Sequence, residues 1–144
     1  MKTEIRQATL EDVPAISSIF RVLEGGRERW SRKMLRNGMS DEKRRYYVIT
    51  EDNNPVGAIS LDLISGDCEL EAIAISKKGN GYGTELLETA EKVARDEKCR
   101  GIWCYSTGNY KAKGFYESNG WIETDRDYDK ASDTTTFKFS KALN

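Results

Sequence analysis

The run Lys77-Lys78-Gly79-Asn80-Gly81-Tyr82-Gly83 puts glycine at every second position between an apolar segment and one of helical spacing. Backbone without Cβ turns tightly and aims successive N–H groups at an anion, and the dipole of a helix starting there adds to the field. The chemistry this suits is phosphate binding, with a plain tight turn as the alternative. Two other glycine-rich signatures fail. A Walker loop needs a lysine before its hydroxyl residue, whereas Gly83 is followed directly by Thr84; a dinucleotide fingerprint belongs near the first strand of a βαβ unit, with an acid about 20 residues on. Just upstream, Glu69-Leu70-Glu71-Ala72-Ile73-Ala74-Ile75-Ser76 carries two carboxylates that share one face of an ideal strand. The chain has no histidine, which removes imidazole bases, His-containing triads, Cys2His2 zinc and haem–histidine ligation. Proton transfer falls to Glu, Asp, Tyr, Cys or Lys. Cys68, Cys99 and Cys104 match neither a redox C-x-x-C pair nor a four-cysteine zinc site. No metal is expected, and the three read as buried or half-buried thiols; a nucleophilic Cys68 would need a helix terminus or a cation to activate it.

These residues need a scaffold. Residues 5–8 read as a first strand, after which Thr9 and Glu11-Asp12 open a helix with Val13, Ile16, Ile19, Phe20 and Leu23 at helical spacing. Gly25-Gly26 breaks it, and residues 27–37 form a second helix with Trp30, Met34 and Leu35 as its apolar stripe, ended by Gly38. Residues 46–50 and 56–64 make a hairpin around Glu51-Asp52-Asn53-Asn54-Pro55, and Ser65-Gly66-Asp67 turns the chain into residues 69–76. Residues 84–97 are a helix with Leu86, Leu87, Ala90, Val93 and Ala94 on one side. Residues 101–105 then run parallel to 69–76, because a crossover helix joins them. Residues 109–118 are a helix closed by Asn119-Gly120, Trp121-Ile122 begins a strand, and residues 134–140 are its antiparallel partner across a polar loop, 125–133. The class is α/β, a mixed central sheet with helices on both faces.

Two segments carry a family likeness. Lys78, Gly81 and Gly83 fall on the fixed positions of a Gln/Arg-x-x-Gly-x-Gly/Ala loop, with lysine where arginine or glutamine is usual. Further on, Asn109, Ala112, Phe115, Tyr116, Glu117, Gly120 and Trp121 fall on the positions of an Asn-x-x-Ala-x-x-Phe-Tyr-Glu-x-x-Gly-Phe segment, the last an aromatic exchange. In that order and spacing the chain resembles the GNAT superfamily of N-acetyltransferases from about residue 5 to 122. The resemblance implies a GNAT-like fold in which two parallel strands splay apart around the thioester of acetyl-CoA, attacked directly by an acceptor amine. It implies a CoA site made of Ile73, Ala74, Ile75, Lys78, Gly79, Asn80, Gly81, Tyr82, Gly83, Thr84, Asn109, Lys111, Ala112, Phe115 and Tyr116, with N–H groups near Ile75 polarising the carbonyl. Tyr116 is implied as the acid that protonates the departing thiolate. An attacking amine must be neutral, and without histidine the base is a carboxylate. Glu69 is the first choice, six residues before Ile75 as in histone-acetylating members, and Glu71 is the rival. A non-catalytic acyl-CoA sensor of the same fold is the alternative.

Composition bounds the rest. The chain has 144 residues, 38% of them hydrophobic and 33% charged, with a net charge of −1, which fits one domain and gives no overall field for nucleic acid or membrane. No signal peptide or membrane-length apolar run is evident, so the cytoplasm is expected. Residues 24–45 hold eight basic and four acidic side chains, a local +4. In the family the first two helices and the loop between the last strands wall the acceptor pocket, so this stretch, with Trp30, is expected there, either as a solvated face or to receive an acceptor with negative charge near Arg29 and Arg32. The amine acceptor is the one partner implied, and a homodimer is left open.

Overall fold

The β-branched and apolar runs assemble into one seven-stranded sheet in a computed structural model that describes residues 1–23, 26–108 and 111–143. The strands are β1 (Thr3–Gln7), β2 (Arg44–Glu51), β3 (Asn54–Ile64), β4 (Asp67–Ile75), β5 (Gly101–Thr107), β6 (Ile122–Asp129) and β7 (Thr134–Ala142), in the order β1-β2-β3-β4-β5-β7-β6. Only β4 and β5 are parallel; every other neighbouring pair is antiparallel. Helix α4 (Tyr82–Asp96) makes the crossover and buries Leu86, Leu87, Ala90 and Ala94 against one face, joined there by α5 (Lys111–Ser118) through Tyr116. The opposite face is covered by α1 (Val13–Phe20), through Val13, Ile16, Ile19 and Phe20, and by α3 (Arg32–Met39), through Leu35. Apolar side chains thus leave water on both sides of the sheet, the main force holding the layers together.

The entry to α1 is tied by one carboxylate. Asp12 accepts two bonds from the Arg6 guanidinium, at 2.7 and 2.9 Å, and one from the Thr9 N–H at 2.8 Å, so Thr9 opens a capping box as expected of its type.

The second helix departs from the periodicity. It is split into α2 (Gly26–Arg29) and α3, because the Trp30 carbonyl is taken by the Ser17 hydroxyl at 2.8 Å and the Trp30 ring turns in against Phe20, 4.9 Å between centroids. Ser31 then caps α3, its Oγ accepting from the Met34 N–H at 3.2 Å. Met34 faces solvent at 51% exposure while Trp30 and Leu35 are buried, so the expected stripe loses one member. Gly38 lies inside α3 instead of ending it. A Cβ there would stand 2.0 Å from the Tyr46 hydroxyl oxygen, so glycine is what lets that ring lie against the helix.

The polar segment 125–133 is also mostly strand: β6 runs to Asp129 and pairs with β7 through Tyr128↔Thr135 and Asp129↔Thr134. β6 is an edge strand, where outward-facing charge costs little and discourages pairing with another chain. The three cysteines are free and buried. Burial pushes the Cys68 and Cys104 thiols up to about 12, which leaves Cys68 without thiolate character. Among the described residues no helix is long and apolar enough to cross a membrane.

Candidate active site

The parallel pair creates a gap. β4 and β5 are in register only at Cys68↔Ile102 and Glu69↔Trp103. Beyond that, β4 stays with β3 as far as Gly57↔Ile75, while β5 stays with β7 as far as Thr107↔Thr136. The two strands diverge, and a cleft of about 770 Å³ opens between and beyond their C-terminal ends, where ligands of α/β sheets bind. A bulge precedes the gap. Leu61 pairs with Leu70 and Ser60 with Ala72, leaving Glu71 without an opposite residue. As a result Cys68 and Leu70 pack on the α4 side, whereas Ala72 and Ala74 pack on the α1 side.

At the α4 end the cleft meets the glycine loop. Gly79 and Gly81 have φ of +89° and +74°, and a Cβ added to either would meet nothing within 4 Å. Their freedom serves the backbone turn and an open approach. Gly83 differs: it lies within α4, and a Cβ there would come within 3.3 Å of the Phe115 ring, so its role is close packing of α5 on α4. Gly81 is the N-cap of α4, whose first N–H groups are free to receive an anion. Lys77 pairs with Glu51 at 2.8 Å, whereas Lys78 is exposed on the cleft wall and has no ion-pair partner among the described residues.

Of the residues expected at a CoA site, Ile73, Ala74, Ile75, Lys78, Gly79, Gly81, Tyr82, Gly83, Thr84, Ala112, Phe115 and Tyr116 all line this cleft. Asn80 is in the loop but off the wall, its side-chain N–H donating to the Lys78 carbonyl at 3.4 Å. Asn109 lies outside the described residues, and Lys111 is placed only as the first residue of α5. Lys113 is engaged with Glu123 at 3.4 Å. Sequence reasoning missed Leu70, Lys77, Tyr105, Ser106 and Thr107 on the wall. For the last three the signal was available: they close a strand parallel to β4, at its ligand-facing end.

The groups expected to act as acid and base lie where the strands part. Tyr116 is buried at 5% exposure, stacked on Phe139 at 4.9 Å between centroids, and borders the cleft. Burial pushes its phenol well above the ordinary range, with Cys104 as the neighbouring hydrogen-bonding group. Glu69, Glu71 and Asp62 bring carboxylate oxygens within 4.8 Å of one another. The two candidate bases differ sharply. Glu71 lines the cleft, and its carboxylate receives Arg44 at 2.6 Å, the Ser60 hydroxyl at 3.3 Å and Arg29 at 3.4 Å. Glu69 is half-buried beside the cleft instead of on its wall, and no ion pair holds it among the described residues. Burial and then the Glu71 charge push its carboxyl up. Asp62, the strand partner of Glu69, was not foreseen.

Three side chains of the basic stretch are engaged, while Arg32, Lys33, Arg36 and Lys43 are exposed with no ion pair among the described residues. Arg29 and Arg44 hold Glu71, and Arg45 holds Glu97 at 3.1 Å. Of it, Arg29 reaches the cleft, its guanidinium 5.1 Å over the Trp30 ring, and Val22, Leu23 and Trp30 complete that wall. The late polar segment is not on this cleft; Asp125, Arg126 and Asp127 instead line a smaller one of about 380 Å³ that shares Tyr105 with it.

The donor set fits CoA by its own chemistry: two open left-handed glycines at a helix N-terminus and a lysine for phosphates, then an apolar passage past Ile73, Ala112 and Phe115 for a slender arm. Known proteins share the fold. The PaiA N-acetyltransferase of Thermoplasma acidophilum, solved with coenzyme A, superposes with a TM-score of 0.83 at 22% identity, covering 99% of both chains. An aminoglycoside 6'-N-acetyltransferase, also solved with coenzyme A, gives 0.85 at 14% identity over 98% of this chain and 97% of that one. At these identities the likeness is one of fold. In sequence, the uncharacterized protein YxbD of Bacillus subtilis (strain 168) is 32% identical over 82 residues, 56% of this chain and 52% of that protein, so the chain spans about half the length of the curated relatives it matches. The model of the acetyltransferase (GNAT) family matches residues 10–121, a span that takes in the diverging strands, the glycine loop and Tyr116, and the chain belongs to that family.

Proposed function

We propose that the chain is an acetyl-CoA-dependent N-acetyltransferase that moves the acetyl group to a primary amine by direct attack in a ternary complex. The observation that supports it most is the divergence of β4 and β5 after Glu69↔Trp103, with an open glycine loop at one end of the resulting cleft and Tyr116 and the Glu71 carboxylate on its walls. When bound, acetyl-CoA supplies an activated acetyl group as a thioester. The N–H groups of residues 79–84 and the Lys78 ammonium hold its phosphates, and Ala112 and Phe115 flank the arm. Backbone N–H groups of β4 near Ile75, freed from any β5 partner by the divergence, polarise the thioester carbonyl.

The acceptor enters past Leu23, Trp30 and Arg29. Glu69, through a water, takes the proton the amine must lose, because the Glu71 lone pairs are committed to Arg44, Ser60 and Arg29. As the nitrogen–carbon bond forms and the carbon–sulfur bond breaks, Tyr116 gives its hydroxyl proton to the sulfur. Arg29 on the cleft wall favours an acceptor with negative charge, so amines with and without a carboxylate belong in the test.

That test is thiol release from acetyl-CoA over a panel of small amines and peptides. Release dependent on one acceptor class supports the reading, and a KM for carboxylate-bearing amines that rises on Arg29→Ala places their carboxylate at Arg29. Saturable CoA binding with no release above background for any acceptor would instead favour the sensor.

A further inference from the structure

The glycine loop has few ties of its own. The hydrogen bonds of residues 78–81 are local: Asn80 donates to the Lys78 carbonyl, and the Glu85 N–H to the Gly81 carbonyl at 3.2 Å. Two left-handed glycines in such a segment leave it with much conformational entropy to lose on binding. Yet the residues bracketing it converge on one group. Lys77 donates to Glu51 Oε1 at 2.8 Å, and the Tyr82 hydroxyl donates to Glu51 Oε2. Glu51 is the last residue of β2, 8% exposed, and its backbone is fixed on both sides by pairing with Thr3 and Asn54.

We propose that Glu51 is a positioning residue for the phosphate cradle: its single carboxylate fastens both ends of the glycine loop to the sheet and holds the loop at the span that binds phosphate. This rests on the reading of the cleft as a CoA site. A carboxylate near a phosphate site would repel the ligand unless neutralised, and Lys77 is the neutralising charge. The Lys77 and Tyr82 bonds, in that order, hold the Glu51 carboxyl below the usual carboxylate range, so the tie persists through neutral pH. With the Lys77 charge committed to Glu51, Lys78 is the cation of the loop left for the phosphates among the described residues.

The experiment is an NMR-detected titration with CoA and with pantetheine, which has the arm but no phosphates, on the parent and on Glu51→Ala, Lys77→Met and Tyr82→Phe. Glu51→Ala is expected to weaken CoA about 10-fold while leaving pantetheine within twofold, because preorganisation acts only on the phosphate half. Tyr82→Phe is expected to weaken CoA by less, Lys77→Met by at least as much because it leaves the Glu51 carboxylate unneutralised, and both to add little on top of Glu51→Ala, since the three side chains form one tie. Unchanged CoA affinity in Glu51→Ala overturns the inference. So does tighter binding, the result if Glu51 merely draws the Lys77 charge away from the ligand, and so does an equal loss for pantetheine, the mark of general damage. If Glu51→Ala fails to fold, the two partner variants carry the same comparison. A parent that binds no CoA refutes the functional reading itself, a result distinct from all of these.

Discussion

Replacing Tyr116 with Phe removes one hydroxyl and keeps the ring in place. The ring is held by Phe139, Phe115 and Trp121, at 4.9, 5.2 and 5.3 Å between centroids, and none of these contacts uses the oxygen. The hydroxyl's hydrogen-bonding neighbour is the Cys104 thiol, a neutral and weak partner, so the stability cost is about 0.5–1.5 kcal/mol. The catalytic cost is larger. Burial keeps the phenol protonated through neutral pH, so a proton is always present to give, and the same poorly solvated surroundings disfavour a bare thiolate. General acids contribute about 10²–10⁴-fold; a phenol held above its ordinary range is a weak donor, which places the expected fall in kcat at about 10²–10³-fold, or about 2.7–4 kcal/mol of barrier. Thiol release at saturating acetyl-CoA measures it, beside CoA titration and thermal unfolding. CoA affinity within twofold of the parent is expected. A kcat within threefold of the parent, with an intact fold, refutes the role of Tyr116 as acid; a fall in rate matched by a fall in CoA affinity would refute the claim that only a proton was removed.

Gly81→Val puts a β-branched side chain at φ +74° in the open approach to the helix N-terminus; a strain of about 1–2 kcal/mol and a several-fold or greater rise in the CoA dissociation constant are expected by titration. Glu69 has a raised folded pKa, so its contribution to stability is full below the ordinary carboxylate value of about 4.3 and is lost as pH rises through the raised value. Glu69→Gln should therefore unfold at a higher temperature than the parent at pH 7 but not at pH 4, while losing the ascending limb of the rate against pH. Asp12 has the opposite sign. The bonds from Arg6 lower its pKa, so its contribution is present above about 3.9 and lost as pH falls through the lowered value. Asp12→Asn is expected to cost about 2–3 kcal/mol in urea unfolding at pH 7, below the about 3–5 kcal/mol of a fully buried pair because the Arg6 side chain is 32% exposed, with a smaller difference at pH 3.

Much of the architecture was legible because local chemistry marks it. The hairpin at Asp52-Asn53 carries two residues with positive φ, the turn expected of such residues, and the spacing of Leu86, Leu87, Ala90 and Ala94 placed α4 on its face. Other features depend on partners in neighbouring elements. That the second helix breaks at Trp30 follows from the Ser17 hydroxyl and the Phe20 ring, and that glycine is needed at position 38 follows from Tyr46; the partners are near in sequence but belong to different elements, so the periodicity of one element does not register them. The preference for Glu69 over Glu71 came from the family resemblance alone, because the physical difference between them is in Arg29, Arg44 and Ser60, which come from α2, β2 and β3.

By itself, then, the sequence determined the repertoire: a chain without histidine, with carboxylates, a tyrosine and an alternating glycine run, in an order that implied a strand, a loop, a helix and a parallel strand. Spacing along a chain encodes which groups share one element, since helix and strand periods are local properties of the backbone. The tertiary structure decided where β4 and β5 part, which carboxylate is tied down, and that one glutamate from β2 holds both ends of the glycine loop. Those are contacts between elements, set by how the layers pack, and they appear only when the whole sheet is assembled.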